Sequence, residues 1–433
     1  MKSLRRPLQV LGTCGVLWGL AGTGLAAAQP ASPLTVDELV ARAIRDNPEL
    51  AAVRAEAEAA EGRLVQAGLR PNPMLELGGQ RSVTGPDSNV GAGVTIPLDL
   101  AGRKAGRVGV AEREVDLKRA QITDRERRLR AEIRSKAGEL LAARRDLDVA
   151  DELLDVNRHA LQLLGARVQR GAAPPLEERL LTVEVNRLES TRQILQSRLE
   201  VAALQLRTLA GWPSDAPLVL AGTLSPALPV LEREGAVQHA LAVRPDLAVA
   251  RADLAMARAK IAKEQADARW DASFNVGYQR QAMGFDGLSG ITARGGTRPI
   301  EDVFHFLGGG LSITLPVRNR NEGNIAAAAA EARAAERRME LATLTVRQEV
   351  EAAFTQHAAA GRALEIYERG VRQVARENLD VVRRTQELGR TSLLDLIAEQ
   401  RRYIDVETGY TQSLLAAYAA AVEIERAVGA PSR

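Results

Sequence analysis

The most constraining feature of this sequence is a pair of long stretches that contain no proline. One runs from Pro97 to Pro174 and the other from Pro316 to Pro431, so each leaves room for more than seventy residues of unbroken helix. About seventy residues of α-helix extend on the order of 100 Å, which no compact globular domain matches. Aromatic residues make up only 3% of the chain, a composition typical of long packed helices rather than of a large globular core.

The two stretches belong to a unit that occurs twice in the chain. Landmarks recur in the same order and at constant register, and we therefore predict a structural duplication. Each unit is expected to contain a helix, two strands, a long helix, a tight turn and a returning helix. The paired landmarks are Ala43–Leu50 with Ala240–Leu247, Val94–Leu98 with Ile313–Val317, Arg170–Glu177 with Leu388–Asp395, and Ala210–Gly211 with Val428–Gly429.

The landmarks also give the predicted boundaries. Residues 1–28 precede the duplication, the first repeat is 29–230 and the second is 231–433. Strands are expected at about 72–98 and 272–317, and long helical hairpins at about 100–211 and 319–429.

Local signals refine this scheme at several points. Thr35 and Glu38 predict a capping box at the start of a helix that is expected to continue past Pro48 to about Leu69. The glycine-rich segment at 281–302 is expected to be a loop between the last two strands.

Apolar residues on both long helices follow coiled-coil spacing. The wide apolar face of the first long helix, formed by two adjacent stripes, indicates contact with more than one neighbour and favours a closed ring of helices. The seam in the second repeat comprises Leu364, Tyr367, Val371, Val374, Val381 and Leu388. The stripes in the first repeat are Val149, Leu153, Val156, Ala160 and Leu163, and Leu147, Leu154, Leu161, Leu164 and Val168.

The N-terminal segment has the pattern of a secretory signal peptide. A positive end at Lys2 to Arg6 precedes an apolar stretch, and Ala26–Ala28 is a small-residue cleavage site, so residues 1–28 are predicted to be removed. A transmembrane anchor is the alternative interpretation. The chain has one cysteine, Cys14, which lies in this segment and follows a Thr at the position where lipidated proteins usually have Gly, Ala or Ser.

The strands bear on the number of chains. Four strands cannot close a barrel, because the smallest transmembrane barrels have about eight, and open sheet edges cannot face lipid. If these strands span a membrane, several chains must contribute to one barrel. The net charge of +3 gives no support for a nucleic-acid partner. Signal, strands and hairpins together indicate a tube with its barrel in the outer membrane and its helices in the periplasm.

Three segments carry a resemblance to a known family: Ile96–Lys104, Leu315–Ile325 and Gly389–Asp395. With the duplicated layout, they make nearly the whole mature chain similar to the TolC-like outer-membrane efflux family. The resemblance implies a mainly α fold with a small membrane β-part, in which three chains form a trimeric 12-stranded barrel that continues into an α-helical coiled-coil tunnel. Leu315–Ile325 resembles the heavy-metal (CzcC-like) branch, whereas Ala101–Lys104 departs from the Gly-Gly-Lys-Arg usual in that branch.

The resemblance also implies a function. It is that of the outer-membrane channel of a tripartite, RND-type efflux system in a Gram-negative bacterium, with no enzymatic activity and no cofactor. The expected partners are two further copies of the chain, a periplasmic adaptor (membrane fusion) protein, an inner-membrane RND pump and outer-membrane lipid. Divalent heavy-metal cations are the expected cargo. Two alternatives remain open: a duct for drugs or organic solutes, and a periplasmic coiled-coil scaffold without a pore.

The candidate aperture residues are acidic and lie at the second tip. Asp395 and Glu399 are four residues apart, on one face of the returning helix. By resemblance, this is where the tunnel narrows to a gate. Three copies of Asp395 would form a ring that attracts cations and is held shut by arginines such as Arg390. A carboxylate stabilised by the helix dipole is the simpler explanation of the same residue.

The tip turns themselves supply a second group of candidates. Gly171 and Gly389 are predicted to adopt the left-handed conformation that closes a helix, and by resemblance the turns, with Arg390 and Thr391, contact the adaptor. No metal site is expected, because the four histidines have no second ligand at suitable spacing. An aromatic belt at the membrane interface is a further hypothesis, and its members would be Phe274, Tyr278, Phe304 and Phe306.

Overall fold

The computed structural model describes residues 33–225 and 233–429. The predicted signal segment with Cys14, and Pro431, lie outside the described residues. The helices are α1 (Val36–Asp46), α2 (Pro48–Gly68), α3 (Arg103–Gln169), α4 (Pro175–Ala210), α5 (Ala236–Val243), α6 (Pro245–Asp267), α7 (Glu322–Ile366), α8 (Arg372–Glu387) and α9 (Leu393–Val428), with a π-helical turn at Tyr367–Val371. The strands are β1 (Met74–Arg81), β2 (Ser88–Pro97), β3 (Asp271–Ile291) and β4 (Thr297–Thr314).

The first helix of each repeat is broken immediately before a proline. Asn47 separates α1 from α2 and Arg244 separates α5 from α6, with extended backbone at ψ 122° and 127°. A proline disfavours helical conformation in the preceding residue, so the prediction of one continuous helix across Pro48 was wrong. The predicted capping box is confirmed by hydrogen bonds in both directions between Thr35 and Glu38.

The side chain at each break holds the end of the returning helix of its own repeat. Asn47 donates from Nδ2 to the Leu209 carbonyl at 2.8 Å, and Arg244 donates from Nη1 to the Ala427 carbonyl at 3.0 Å. Asn47 and Arg244 are both buried. We call these two contacts the repeat joints. Each of the two predicted repeats therefore has a joint at the corresponding place, one made by an amide and the other by a guanidinium.

The four strands form one antiparallel sheet in the order β1-β2-β3-β4. Within the described chain, β1 and β4 each have one edge without a strand partner. The segment 281–302, predicted as a loop, is mostly paired strand, with its turn confined to 292–296 and a register shift between Gly284 and Ser289. Glycine content alone indicated a loop there, but the cross-strand hydrogen bonds of the β3–β4 hairpin override that local preference.

The register gives the sheet one apolar and one polar face, because paired residues share a face and successive residues alternate. The aromatic-belt hypothesis is therefore wrong for half of its members: Phe274 and Tyr278 share the apolar face, but Phe304 and Phe306 lie on the polar one. The apolar face carries Leu75, Leu77, Val90, Val94, Ile96, Phe274, Val276, Tyr278, Leu307, Leu311 and Ile313. The polar face carries Glu76, Gln80, Asn89, Thr95, Ser273, Asn275, Gln279, Gln281 and Ser312, with Gly78, Gly91, Gly93, Gly277, Gly308 and Gly310.

The helices share a core that joins the two repeats. Buried residues of α1, α3, α4 and α9 form its largest cluster, which includes Leu39, Ile133, Leu206 and Val422. None of the helices in the described ranges combines the length and the apolar character needed to cross a bilayer.

The segment beyond the π-helical turn differs from the rest of the second long helix. Leu364, before the turn, is buried, but α8 has no buried residue, and Val374, Val381 and Leu388 are exposed. The predicted seam is therefore buried within the chain at Leu364 and exposed to solvent beyond the π-helical turn. The turn also interrupts the single long helix that the sequence predicts.

Candidate functional site

Both helical hairpins end in turns of the same type. Gly171 and Gly389 have φ of +70° and +71°, so the predicted left-handed conformation is present at both. The Arg390 N–H donates to the Thr385 carbonyl at 2.9 Å and closes the last turn of α8, and the first tip is closed in the same way. Both glycines are exposed, so the two turns are accessible at the end of the helical part.

Arg390 and Thr391 have different environments in the second tip. The Thr391 hydroxyl donates to Thr385 Oγ1 at 3.3 Å and is half-buried, so it holds the turn from inside. Arg390 is exposed, and its guanidinium forms no ion pair within the part of the chain that the structure describes. Of these two adaptor-contact candidates, Arg390 is the accessible one.

Asp395 caps helix α9. Its Oδ2 accepts from the Ser392 hydroxyl at 2.7 Å and from the Ser392 N–H at 3.1 Å, and the Asp395 N–H donates back to Ser392 Oγ at 3.1 Å. The hydrogen bond from the Ser392 hydroxyl, followed by that from its N–H, lowers the pKa of the Asp395 carboxyl, which is ionised at neutral pH. The expected tie to Arg390 is not among these contacts, and the capping role accounts for all of them.

Glu399 does not share the environment of Asp395. Its side chain is buried, with 8% of the residue exposed, and it accepts from Arg402 Nη1 at 3.0 Å. Over this turn α9 packs against neighbouring helices, since Ile397 and Gln400 are buried as well. The two carboxylates therefore do not present one solvated acidic face in the single chain, contrary to the expectation for an aperture pair.

A buried carboxylate that the sequence analysis missed lies further along α9. Glu407 is 2% exposed and accepts from Arg145 Nη2 at 2.8 Å and from Arg372 Nε at 2.7 Å. Both guanidinium groups lie over the Tyr410 ring, 4.9 and 4.7 Å from its centroid. We call Glu407, Arg145, Arg372 and Tyr410 the hub. The hub ties α3 of the first repeat to α8 and α9 of the second. Its Arg372 is the residue that directly follows the π-helical turn.

Glu184 is a second buried carboxylate that links the repeats. It accepts from Arg187 on its own helix at 2.8 Å and from Arg401 of α9 at 2.7 Å. Burial raises the pKa of the Glu184 carboxyl, but the hydrogen bonds from the two arginines outweigh this, and its pKa is lowered overall. Glu184 therefore stays charged and fixes α4 against α9.

Sequence reasoning had little chance of finding these carboxylates. Glu184 and Glu407 stand among many charged residues and look like part of a solvated helix face. The one available sign was that Glu407 shares helical spacing with Tyr410 and Leu414, both of which are buried.

The described residues contain no group of three or more His, Cys, Asp and Glu side chains that could hold a metal ion. Asp395 is engaged in helix capping, and Glu399, Glu184 and the charged groups of the hub are engaged in ion pairs, whereas the Arg390 guanidinium forms none within the described residues. These contacts position the helices.

The family of this chain follows from comparison with known protein families. The family described as "Outer membrane efflux protein" matches residues 39–211 and 236–430, which are most of both repeats. This chain belongs to the outer membrane efflux protein family. Such proteins are channels rather than enzymes.

Relatives resemble this efflux protein over almost their full length. The "Cobalt-zinc-cadmium resistance protein CzcC" of Cupriavidus metallidurans is 24% identical over 401 residues, which are 93% of this chain and 91% of CzcC. The structure of CusC superposes with a TM-score of 0.72 at 17% identity, covering 93% of this chain and 95% of CusC. The open state of MtrE from Neisseria gonorrhoeae gives 0.70 at 19% identity, covering 91% and 88%. These structures share the fold.

Proposed function

We propose that this outer membrane efflux protein forms the trimeric duct of a tripartite, RND-type efflux system. The four-stranded sheet, with its two unpaired edges and its contrasting faces, is the observation that carries the proposal. Three chains with four strands each would close a 12-stranded barrel, in which β4 of one chain pairs with β1 of the next. The apolar face would meet lipid and the polar face a water-filled interior.

The helical part continues this duct through the periplasm. Val374 and Val381 of α8, and Leu388 directly after it, are exposed and form the surface that neighbouring chains would cover in a tunnel. At its end, the turns at Gly171 and Gly389, with Arg390 and Thr391, would contact a periplasmic adaptor, which connects the duct to an inner-membrane RND pump.

Divalent heavy-metal cations are the proposed cargo. The name of the relative CzcC and its similarity over 93% of this chain support this choice. A conduit needs weak and escapable contacts with its cargo, so a tight metal site is not required. Organic solutes are the alternative cargo, because the fold alone does not select between small molecules and metal ions.

The proposal predicts a pore and a specific sensitivity. Protein from outer-membrane fractions is expected to run as a heat-sensitive trimer and to give single-channel currents in a planar bilayer. Deletion of its gene is expected to make the host sensitive to zinc, cobalt or cadmium salts but not to organic dyes. Sensitivity to dyes alone would favour the organic-solute duct. A monomeric periplasmic protein without currents would contradict the duct and favour the scaffold.

A gate at Asp395 makes a separate prediction. Asp395→Asn removes the charge but keeps an acceptor for the helix cap, whereas Ser392→Ala removes the cap partner and keeps the charge. If three Asp395 carboxylates line the aperture, we expect Asp395→Asn to lower the cation preference of the channel about twofold, an effect typical of exposed charges. Ser392→Ala is the matched control. Equal behaviour of both variants would reduce Asp395 to its capping role.

A further inference from the structure

Two phenylalanines occupy the polar face of the sheet. Phe306 is paired with Gln279, and Phe304 is paired with Gln281, so both rings lie on the same face as these amides. Phe304 is 43% exposed and Phe306 is 50% exposed, and their ring centroids are 6.4 Å apart. Large exposed aromatic side chains among amides and glycines are not explained by packing within the chain.

The surroundings of Phe306 make it prominent on this face. The row that contains Phe306 and Gln279 continues to Gly91 and Gly78 on the other two strands. The adjacent row has glycine on three of its four strands. A hollow of about 570 Å³ opens beside the Phe306 ring, and its polar lining includes Glu76, Gln80, Asn89 and Gln279. The Phe306 ring therefore stands at the side of a depression rather than within a packed surface.

Residues on the apolar face show how far along the strands the two phenylalanines lie from the helices. His305, between the two phenylalanines, is on the apolar face, where its Nδ1 lies 2.6 Å from the Tyr278 hydroxyl. Arg280 is the cross-strand partner of His305, so the apolar face carries polar side chains at this level of the strands. The helices leave the sheet from its other end, after Pro97 and Thr314. Phe304 and Phe306 thus lie on the polar face, level with the end of the apolar face that is remote from the helices, where Tyr and His suit a membrane interface.

We propose that Phe304 and Phe306 of three chains form an aromatic collar inside the outer mouth of the barrel. The inference rests on the trimeric barrel proposed above. The collar narrows the water-filled passage, and the faces of its rings give passing cations a weak attraction that anions lack. It is a selectivity element for cations, at the opposite end of the duct from the tip.

Cysteine accessibility tests which way the rings point. In a Cys14→Ser background, which has no other cysteine, Phe306→Cys is compared with Leu307→Cys, its neighbour on the apolar face. With channels in a bilayer, a negatively charged methanethiosulfonate reagent is expected to react with Phe306→Cys and reduce its current, and to leave Leu307→Cys unmodified. Reaction of Leu307→Cys without reaction of Phe306→Cys would overturn the inference.

Removal of the rings tests the role in selectivity. In the double variant Phe304→Ala/Phe306→Ala, conductance is expected to rise, and the tetramethylammonium-to-chloride permeability ratio is expected to fall about twofold, the size expected for an exposed cation–π contact. Leu307→Ala is the control, with neither change. A double variant that conducts and selects like the parent would overturn the collar and leave the pore intact. If the parent itself gives no channels, the proposed duct fails first.

Discussion

Replacing Gly211 by alanine is expected to lower the free energy of unfolding by more than about 3 kcal/mol. Gly211 ends α4 with φ +71°, a conformation that an L-residue adopts only with strain. A Cβ there would also lie 2.4 Å from the carbonyl oxygen of Asp46 and 3.1 Å from Pro48 Cδ. The clashing atoms belong to Asp46 and Pro48, on either side of the repeat joint at Asn47. The clash is therefore relieved only if α1 and α2 move away from the end of α4.

Gly171 provides a matched control for this prediction. Its φ is +70°, but a Cβ would have no atom within 4 Å, so Gly171→Ala should cost only the conformational strain of about 1–2 kcal/mol. Urea unfolding of the detergent-solubilised protein, followed by far-UV circular dichroism, measures both. Similar losses for the two variants would show that the close approach at the joint does not limit stability.

Replacing Glu407 by glutamine is expected to cost about 3 kcal/mol of stability. The amide keeps the size of the side chain but removes the charge that holds Arg145 and Arg372 in the hub. Loss of one partner from a buried ion pair typically costs about 3–5 kcal/mol, because the remaining charge is left without compensation. The arginine side chains are 29% and 40% exposed, so water relieves part of this cost and the lower end of the range applies.

An exposed pair in a nearby helical turn gives the comparison. Glu365 lies 2.7 Å from Arg369, with side chains 52% and 80% exposed. Glu365→Gln is therefore expected to cost less than about 0.5 kcal/mol in the same unfolding experiment. Equal losses for Glu365→Gln and Glu407→Gln would mean that burial of the hub carboxylate contributes nothing.

Features set by a few neighbouring residues were predictable from the sequence. The Thr35–Glu38 capping box and the left-handed Gly171 and Gly389 depend on contacts within a single turn, so local signals suffice. The break at Asn47 had an equally local cause in the following proline. A proline at the first position of a helix is well tolerated, so Pro48 both ends α1 at the preceding residue and begins α2.

Features set by distant partners were not predictable. Burial of Glu399 and Glu407 depends on which face of α9 meets its neighbours, and the charged side chains gave no hint of it. The face occupied by Phe304 and Phe306 depends on the register between β3 and β4. A shift of one residue would have exchanged the two faces, and the glycine-rich segment between the strands concealed that register.

The π-helical turn at Tyr367–Val371 has a consequence for changes in chain length. Such a turn holds one residue more than a regular helical turn, so the residues beyond it keep the orientation that they would have in a regular helix one residue shorter. Deleting one residue here would therefore restore a regular helix and leave Val374 and Val381 on the same side, whereas deleting one residue from the regular part of α8 would rotate the helix beyond it by about 100°. The same deletion in the hairpin turn at 292–296 would leave the paired strands below it in place. Evolutionary deletions of one residue should thus be tolerated at the hairpin turn and at the π-helical turn, and excluded from the regular part of α8.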